Sequence, residues 1–394
     1  MRRFSANYIY CVGQPPLKNG IVEVNDSGKI LNVIDTYGEL QESRNLEFYN
    51  GVIVPGFVNT HCHLELSELK NVVPEKLGLP EFLNKIFQYK KQKKDNATVK
   101  SIHLYDQIMR SNGIVAVGDI CNTAISIPIK QKSEINYYSF VEAIGIGENS
   151  SEIFYNNNEL YRNFLKNNLK ASIVPHAPYS VSIELFKLIK DHSEKNRSVI
   201  SIHNQETESE REMFINKTGS LITKLISLGV NMDKWNASGE SSVRTIIPYL
   251  PSHSNILFVH NTYTSEEEFD LINQNFENAY WCLCPLSNKY IENRFPNFDM
   301  FLNEPEKVTI GTDSLASNKV LSILEEMKVV SENSENVTFE QLIQWATVNG
   351  AKALKMDSEI GSITIGKTPG LNLITNFNFS KMNLTNKSEV KVLI

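Results

Sequence analysis

The sequence predicts an α/β fold: a TIM barrel with a small β-sandwich domain formed by the N- and C-terminal segments. Three observations lead there. Eight strongly apolar, strand-like runs alternate with helical stretches through the middle of the chain, most of the histidines close those runs, and short alternating strands crowd both ends.

At the start, NYIYCV, NGIVEV and GKILNVID are broken by Gly, Asn, Asp and Pro, and near the finish GSITIGK and GLNLITNF repeat the pattern. Residues 1–52 and 358–394 are therefore expected to form one small β domain, around a barrel of residues 53–357. In the middle come VIVPGFVNT, GIVAVGDI, INYYSFVEAI, KASIVPH, SVISIH, NILFVH, AYWCLCP and KVTIGTD. Runs this apolar read as parallel strands buried on both faces, covered by helices such as IHLYDQIMRS, SIELFKLIKDHSEK and VLSILEEMKVVSE. Their number, and the lack of a G-x-G-x-x-G turn after the first, favour a closed barrel over an open doubly wound sheet.

The 394 residues suffice for a barrel with an appended domain, and 41% hydrophobic with 21% charged residues is ordinary for a soluble globule. A net charge of -6 argues against broad nucleic-acid binding. The basic run KKQKK, Lys90 to Lys94, follows the helical spacing of Phe82, Ile86 and Tyr89 and reads as a solvated helix face. Five scattered cysteines and no signal-like start predict a cytoplasmic protein without disulfides, and no apolar run nears the ~20 residues that cross a bilayer.

A TIM barrel assembles its active site from the C-terminal strand ends. Five of the eight histidines fall there: His61, His63, His176, His203 and His260, joined by Asp313 after the eighth run. His61 and His63 form H-x-H, and side chains two apart on a strand share a face. With His203 and Asp313 they make a full open site for zinc or iron. Glu206, three residues after His203, is placed to move protons without binding the ion. Glu65 and Ser67 are placed to reach a substrate hydroxyl or ring nitrogen, or to cap the loop. Tyr179 and Trp235 are candidates for ring stacking or for lid packing.

PGFVNTHCHLELS, HAPYSVS, HNQE, VHNTY, CPLSN, GTDSLASN and the terminal GSITIGKTPGLNLI together resemble the amidohydrolase superfamily over essentially the whole chain. The likeness is to its aminohydrolase branch of guanine, adenosylhomocysteine and aminofutalosine deaminases and chlorohydrolases. The resemblance implies that His61, His63, His203 and Asp313 hold the metal, that Glu206, His260 and Asp313 act in catalysis, and that His176 contacts substrate. It implies one divalent ion, zinc or else iron, because SIVPHAPY lacks the bridging lysine or glutamate of binuclear members. Two departures stand out: Leu286 occupies the usual arginine of C-P-R-S-N, and Pro369 and Gly370 replace a usual Ala-Asp.

The segment after HNQE resembles the cover of adenosylhomocysteine and aminofutalosine deaminases, with Glu65 and Trp235 as further substrate contacts. The expected activity is hydrolytic deamination of a small aminopurine substrate, aminofutalosine or a related 6-aminopurine nucleoside first, by a soluble enzyme with no nucleic-acid or membrane partner and, by analogy, a homodimer. The alternatives are another hydrolase of the same scaffold, acting on a cyclic amide, guanine, a pterin or a chloro-heterocycle, and a non-catalytic binding barrel. A cytidine-type deaminase is disfavoured because CLCP lacks the P-C-x-x-C order.

Overall fold

The computed structural model describes all residues except 41, 43, 92–94 and 148. Both chain ends enter one mixed sheet of seven strands. Its path runs Glu389–Val392, Leu371–Thr375, Leu46–Pro55, Arg2–Ile9, Ile21–Val24 and Ile30–Ile34, with Leu17–Lys18 paired to Arg2–Ile9. Phe4, Ala6, Ile9, Val22, Val24, Ile53, Leu371 and Leu373 form its own apolar core. A sandwich of two facing sheets was expected; the described terminal strands instead share this single hydrogen-bonded sheet.

Strand Leu46–Pro55 crosses the expected boundary at residue 52 and leads through Gly56 into the first parallel strand. Gly56 has no room for a side chain there, since a Cβ would lie 2.3 Å from Val115 and 2.6 Å from the Pro369 carbonyl. The Gly56 amide donates to that carbonyl at 3.1 Å, and Gly370 takes the left-handed φ of +69°. Pro369 and Gly370 thus form the turn that docks the terminal sheet onto the central strands.

All eight apolar runs contain parallel strands. Phe57–Cys62, Ile114–Cys121, Asn136–Ala143 and Lys170–Pro175 make one four-stranded sheet, and Ile200–Asn204, Ile256–His260, Ala279–Leu283 and Val308–Ile310 make the other. Nearly every residue in them is buried, as strands covered on both faces require. The ladder is not one continuous eight-stranded path, because among the described residues backbone hydrogen bonds between the two sheets are confined to strand ends. At one edge the His203 amide donates to the His176 carbonyl, and at the other the Thr312 and Asp313 amides donate to the His61 carbonyl.

The expected covering helices are Asp95–Ser111, Ile183–Asn196 and Ile323–Asn333, the last two started by Ser182 and Ser322 side-chain caps. Helix Leu79–Lys90 carries Phe82, Ile86 and Tyr89 inward, while most of the basic stretch 90–94 lies outside the described residues. This helix packs with Glu208–Asn216 and Ser220–Ser227 into a separate apolar cluster above the strand ends, built from Leu79, Met213, Phe214, Leu221 and Tyr179 among others. All five cysteines are free and buried, and among the described residues no helix is long and apolar enough to cross a membrane.

A fully buried ion pair fastens the second and third strands beneath the first loop. Lys130 Nζ lies 2.6 Å from Asp119 and donates to Ser139 and Cys121, while Asp119 also accepts the Leu64 amide. Removing one partner strands a charge in the interior, so Lys130→Met is expected to cost about 3–5 kcal/mol in urea unfolding. A loss below about 1 kcal/mol would place the pair among structurally neutral ones.

Candidate active site

Parallel strands deliver their last residues to one end of the molecule, and there the polar groups collect. His61 sits on the first strand, fully buried, with His63 one step beyond it on the same face. His203 and His260 end the fifth and sixth strands, and Asp313 follows the eighth.

The three imidazoles converge. His63 Nε2 lies 3.1 Å from His61 Nε2 and 3.2 Å from His203 Nε2, and 3.3 Å from Asp313 Oδ1. An ion bound tetrahedrally at ~2.0–2.1 Å holds its ligand atoms roughly 3.3 Å apart, so the spacing of these donors fits a cation of that kind. Their protonation fits as well. Burial pushes His61 down to about 4 and His63 well below the usual range, leaving neutral rings with lone pairs to offer. Burial alone would raise Asp313, but its hydrogen bond to His61 and the fields of His63 and His260 outweigh it and keep the carboxylate charged.

Two of the donors, His203 and Asp313, are braced by hydrogen bonds. His203 Nδ1 is 2.7 Å from the His176 carbonyl and donates to it, which turns Nε2 toward the cluster. Asp313 Oδ2 accepts from the hydroxyls of Ser287 and Ser317, leaving Oδ1 to face the histidines. The backbone is left-handed at His260 (φ +76°) and Asp313 (φ +55°), a strained state that non-glycine residues keep only where surroundings enforce it.

Glu206 and His260 face each other, Oε1 to Nε2 at 3.7 Å. Burial, reinforced by Asp313, Glu210 and Glu292 and opposed by His203, pushes the Glu206 carboxyl up to about 8. His260 Nδ1 donates to Asn288 Oδ1, whose amide is fixed by donating back to the His260 carbonyl. The ring therefore presents an unprotonated Nε2 to the site, and burial lowers its basicity enough to keep it neutral.

His176 stands at the end of the fourth strand with Nδ1 2.6 Å from Ser180 Oγ, its ring 4.7 Å from that of His203. Glu65 is buried, and one of its oxygens accepts from both the amide and the hydroxyl of Thr123, the loop-tying role weighed for it. Trp235 packs edge-on against Phe214, ring centroids 5.4 Å apart, in the apolar roof. Tyr179 is likewise part of that roof.

Residues not singled out from the sequence complete the site. Ser287, Asn288 and Ser317 lie within the CPLSN and GTDSLASN motifs, but only the folded chain shows which ligand each one holds. Glu142, at the end of the third strand, could have been found as an acidic residue closing an apolar run, as Asp119 and Asp313 do in theirs. It lies 4.0 Å from both His176 Nε2 and His203 Nδ1. Glu142, His176 and His203 are close enough to resemble a second ion site. His203 Nδ1 already spends its proton on the His176 carbonyl, so it has no lone pair for such an ion.

Buried imidazoles and a carboxylate around one point, beside a proton-holding glutamate, form a donor set of the kind that hydrolases use to hold a divalent cation. Residues 52–393 match the Amidohydrolase family, and the chain belongs to it. An aminodeoxyfutalosine deaminase of Nitratiruptor sp. is 28% identical over 336 residues, 82% of this chain and 79% of that one. A Helicobacter pylori aminofutalosine deaminase, solved with methylthio-coformycin, superposes with a TM-score of 0.83 at 23% identity, over 97% of this chain and 94% of its own. A Xanthomonas campestris adenosine deaminase with bound zinc gives 0.73 at 20% identity, over 99% and 90%.

If Ser287 and Ser317 orient Asp313 toward an ion, replacing both by alanine should lower zinc affinity about 10- to 100-fold in chelator competition. Unchanged affinity would show that Asp313 needs no such bracing.

Proposed function

We propose that the protein is a hydrolytic deaminase that releases ammonia from the 6-amino position of an adenine nucleoside, with aminofutalosine or a related nucleoside as first choice. The observation that carries this reading is Glu206: a buried carboxyl that holds its proton near neutral pH, set beside an unprotonated His260 Nε2 and the donor set. The names of the similar deaminases support the substrate class.

His61, His63, His203 and Asp313 would hold one zinc or iron ion, which when bound lowers the pKa of water from ~15.7 toward ~7. His260 Nε2 then accepts the proton of the attacking water, and Asp313 Oδ1 orients it. Glu206 delivers its proton to the ring nitrogen next to the amino-bearing carbon, so that carbon accepts the water oxygen without building a ring anion. The tetrahedral carbon expels the amino group, which leaves as ammonia with a proton returned through the same residues. In this reading His176 and Glu65 contact the substrate, under the roof that carries Trp235.

Two four-stranded sheets bridged at their strand ends are best read as halves of one closed barrel of residues 53–357, with 1–52 and 358–394 as the appended domain. Free, buried cysteines support a cytoplasmic setting, and a small heterocycle is the partner such an enclosed site suits.

Ammonia release should be found for one or more of adenosine, methylthioadenosine, adenosylhomocysteine and aminofutalosine. Glu206→Gln should cut that rate about 10²- to 10⁴-fold while the bound metal is retained. A metal-bearing protein that releases ammonia from none of these would move the reading to cyclic amides or chloro-heterocycles. Chelation should abolish the rate, and separate reconstitution with zinc and with ferrous iron should restore it with one of them; full activity of metal-free protein would overturn the mechanism.

A further inference from the structure

Glu142 is a buried carboxylate at the strand ends that the mechanism leaves unused, and unlike Asp119 it has no lysine paired with it among the described residues. It is 7% exposed, on the interior-facing end of Asn136–Ala143, and its register partner is Val174, two residues before His176. One carboxylate oxygen, Oε2, accepts from Asn122 Nδ2 at 2.9 Å. The other, Oε1, has no hydrogen-bond partner among the described residues. His176 Nε2 and His203 Nδ1 both lie 4.0 Å from it, and the His203 proton is engaged elsewhere.

A buried carboxylate oxygen with no donor is costly, and it persists where something outside the chain completes it. A second metal ion is not that partner, because His203 Nδ1 has no free lone pair. The position argues for substrate. Glu142 and His176 stand on the third- and fourth-strand side of the donor set, whereas Glu206 and His260 stand on the fifth- and sixth-strand side. A ring whose reacting nitrogen meets Glu206 sends its remaining substituents the other way.

We infer that Glu142 is a specificity-determining residue whose Oε1 accepts a hydrogen bond from a ribose hydroxyl of the nucleoside. This rests on the deaminase reading. It also gives the site a preference: a fixed negative charge welcomes a neutral O–H donor on that side and repels a substrate carboxylate placed there.

The test is calorimetric binding of inosine and 2′,3′-dideoxyinosine, which need no turnover, to the zinc-loaded protein and to its Glu142→Gln and Glu142→Met variants, with zinc content measured for each. The wild type should bind inosine about 10- to 100-fold more tightly than the dideoxy form, as expected for a hydroxyl meeting a charged acceptor. Both variants should shrink that ratio to below about 3-fold by weakening inosine alone. If Glu142→Met does not fold, Glu142→Gln decides. A ratio unchanged in the variants, or an equal loss for both ligands, overturns the assignment and leaves the deaminase reading intact. Failure of the wild type to bind either nucleoside brings down both.

Discussion

Three imidazole nitrogens, of His61, His63 and His203, meet 3.1 and 3.2 Å apart at one point, and a cation there would be bound by the lone pairs that their neutral rings can turn to it. The rest of the molecule is arranged around keeping them there. Burial holds His61 and His63 neutral, and Asp313 supplies the negative charge that makes the cluster attractive to a cation. The His176 carbonyl, Ser287 and Ser317 fix ring and carboxylate directions, and the strained turns at His260 and Asp313 are the backbone cost of bringing strand ends to one point.

The same enclosure sets the chemistry. Removing water from around Glu206 is what lets a carboxyl keep its proton near neutrality, while the Asn288 hydrogen bond fixes which nitrogen of His260 is free. In the proposed reaction the acid and the base would thus be distinguished by their surroundings, beneath the apolar roof of Leu79, Phe214, Leu221 and their neighbours.

Much of this was legible in the sequence because it rests on periodicity and on residue type at strand ends. The eight apolar runs became eight strands, and His61, His63, His203, Glu206, His260 and Asp313 are brought together as the spacing required. What was not legible depends on contacts between distant segments. Whether the terminal strands stack as two sheets or pair into one is decided by registers such as Leu371 opposite Pro55, which alternation alone does not specify. Glu65 and Trp235 were expected as substrate contacts, with a loop tie and lid packing as the alternatives, and only the folded chain shows Glu65 tied to Thr123 and Trp235 packed on Phe214. Glu142 escaped notice because a single acid in an apolar strand carries no motif.

The most direct test of the donor cluster is X-ray absorption at the zinc edge of reconstituted protein, with stoichiometry measured on the same sample. One zinc per chain, with a first shell of nitrogen and oxygen at ~2.0–2.1 Å including three imidazoles, is the expected result. Two ions per chain, or a shell with fewer imidazoles or with sulfur from the buried cysteines, would contradict a single site built on His61, His63, His203 and Asp313.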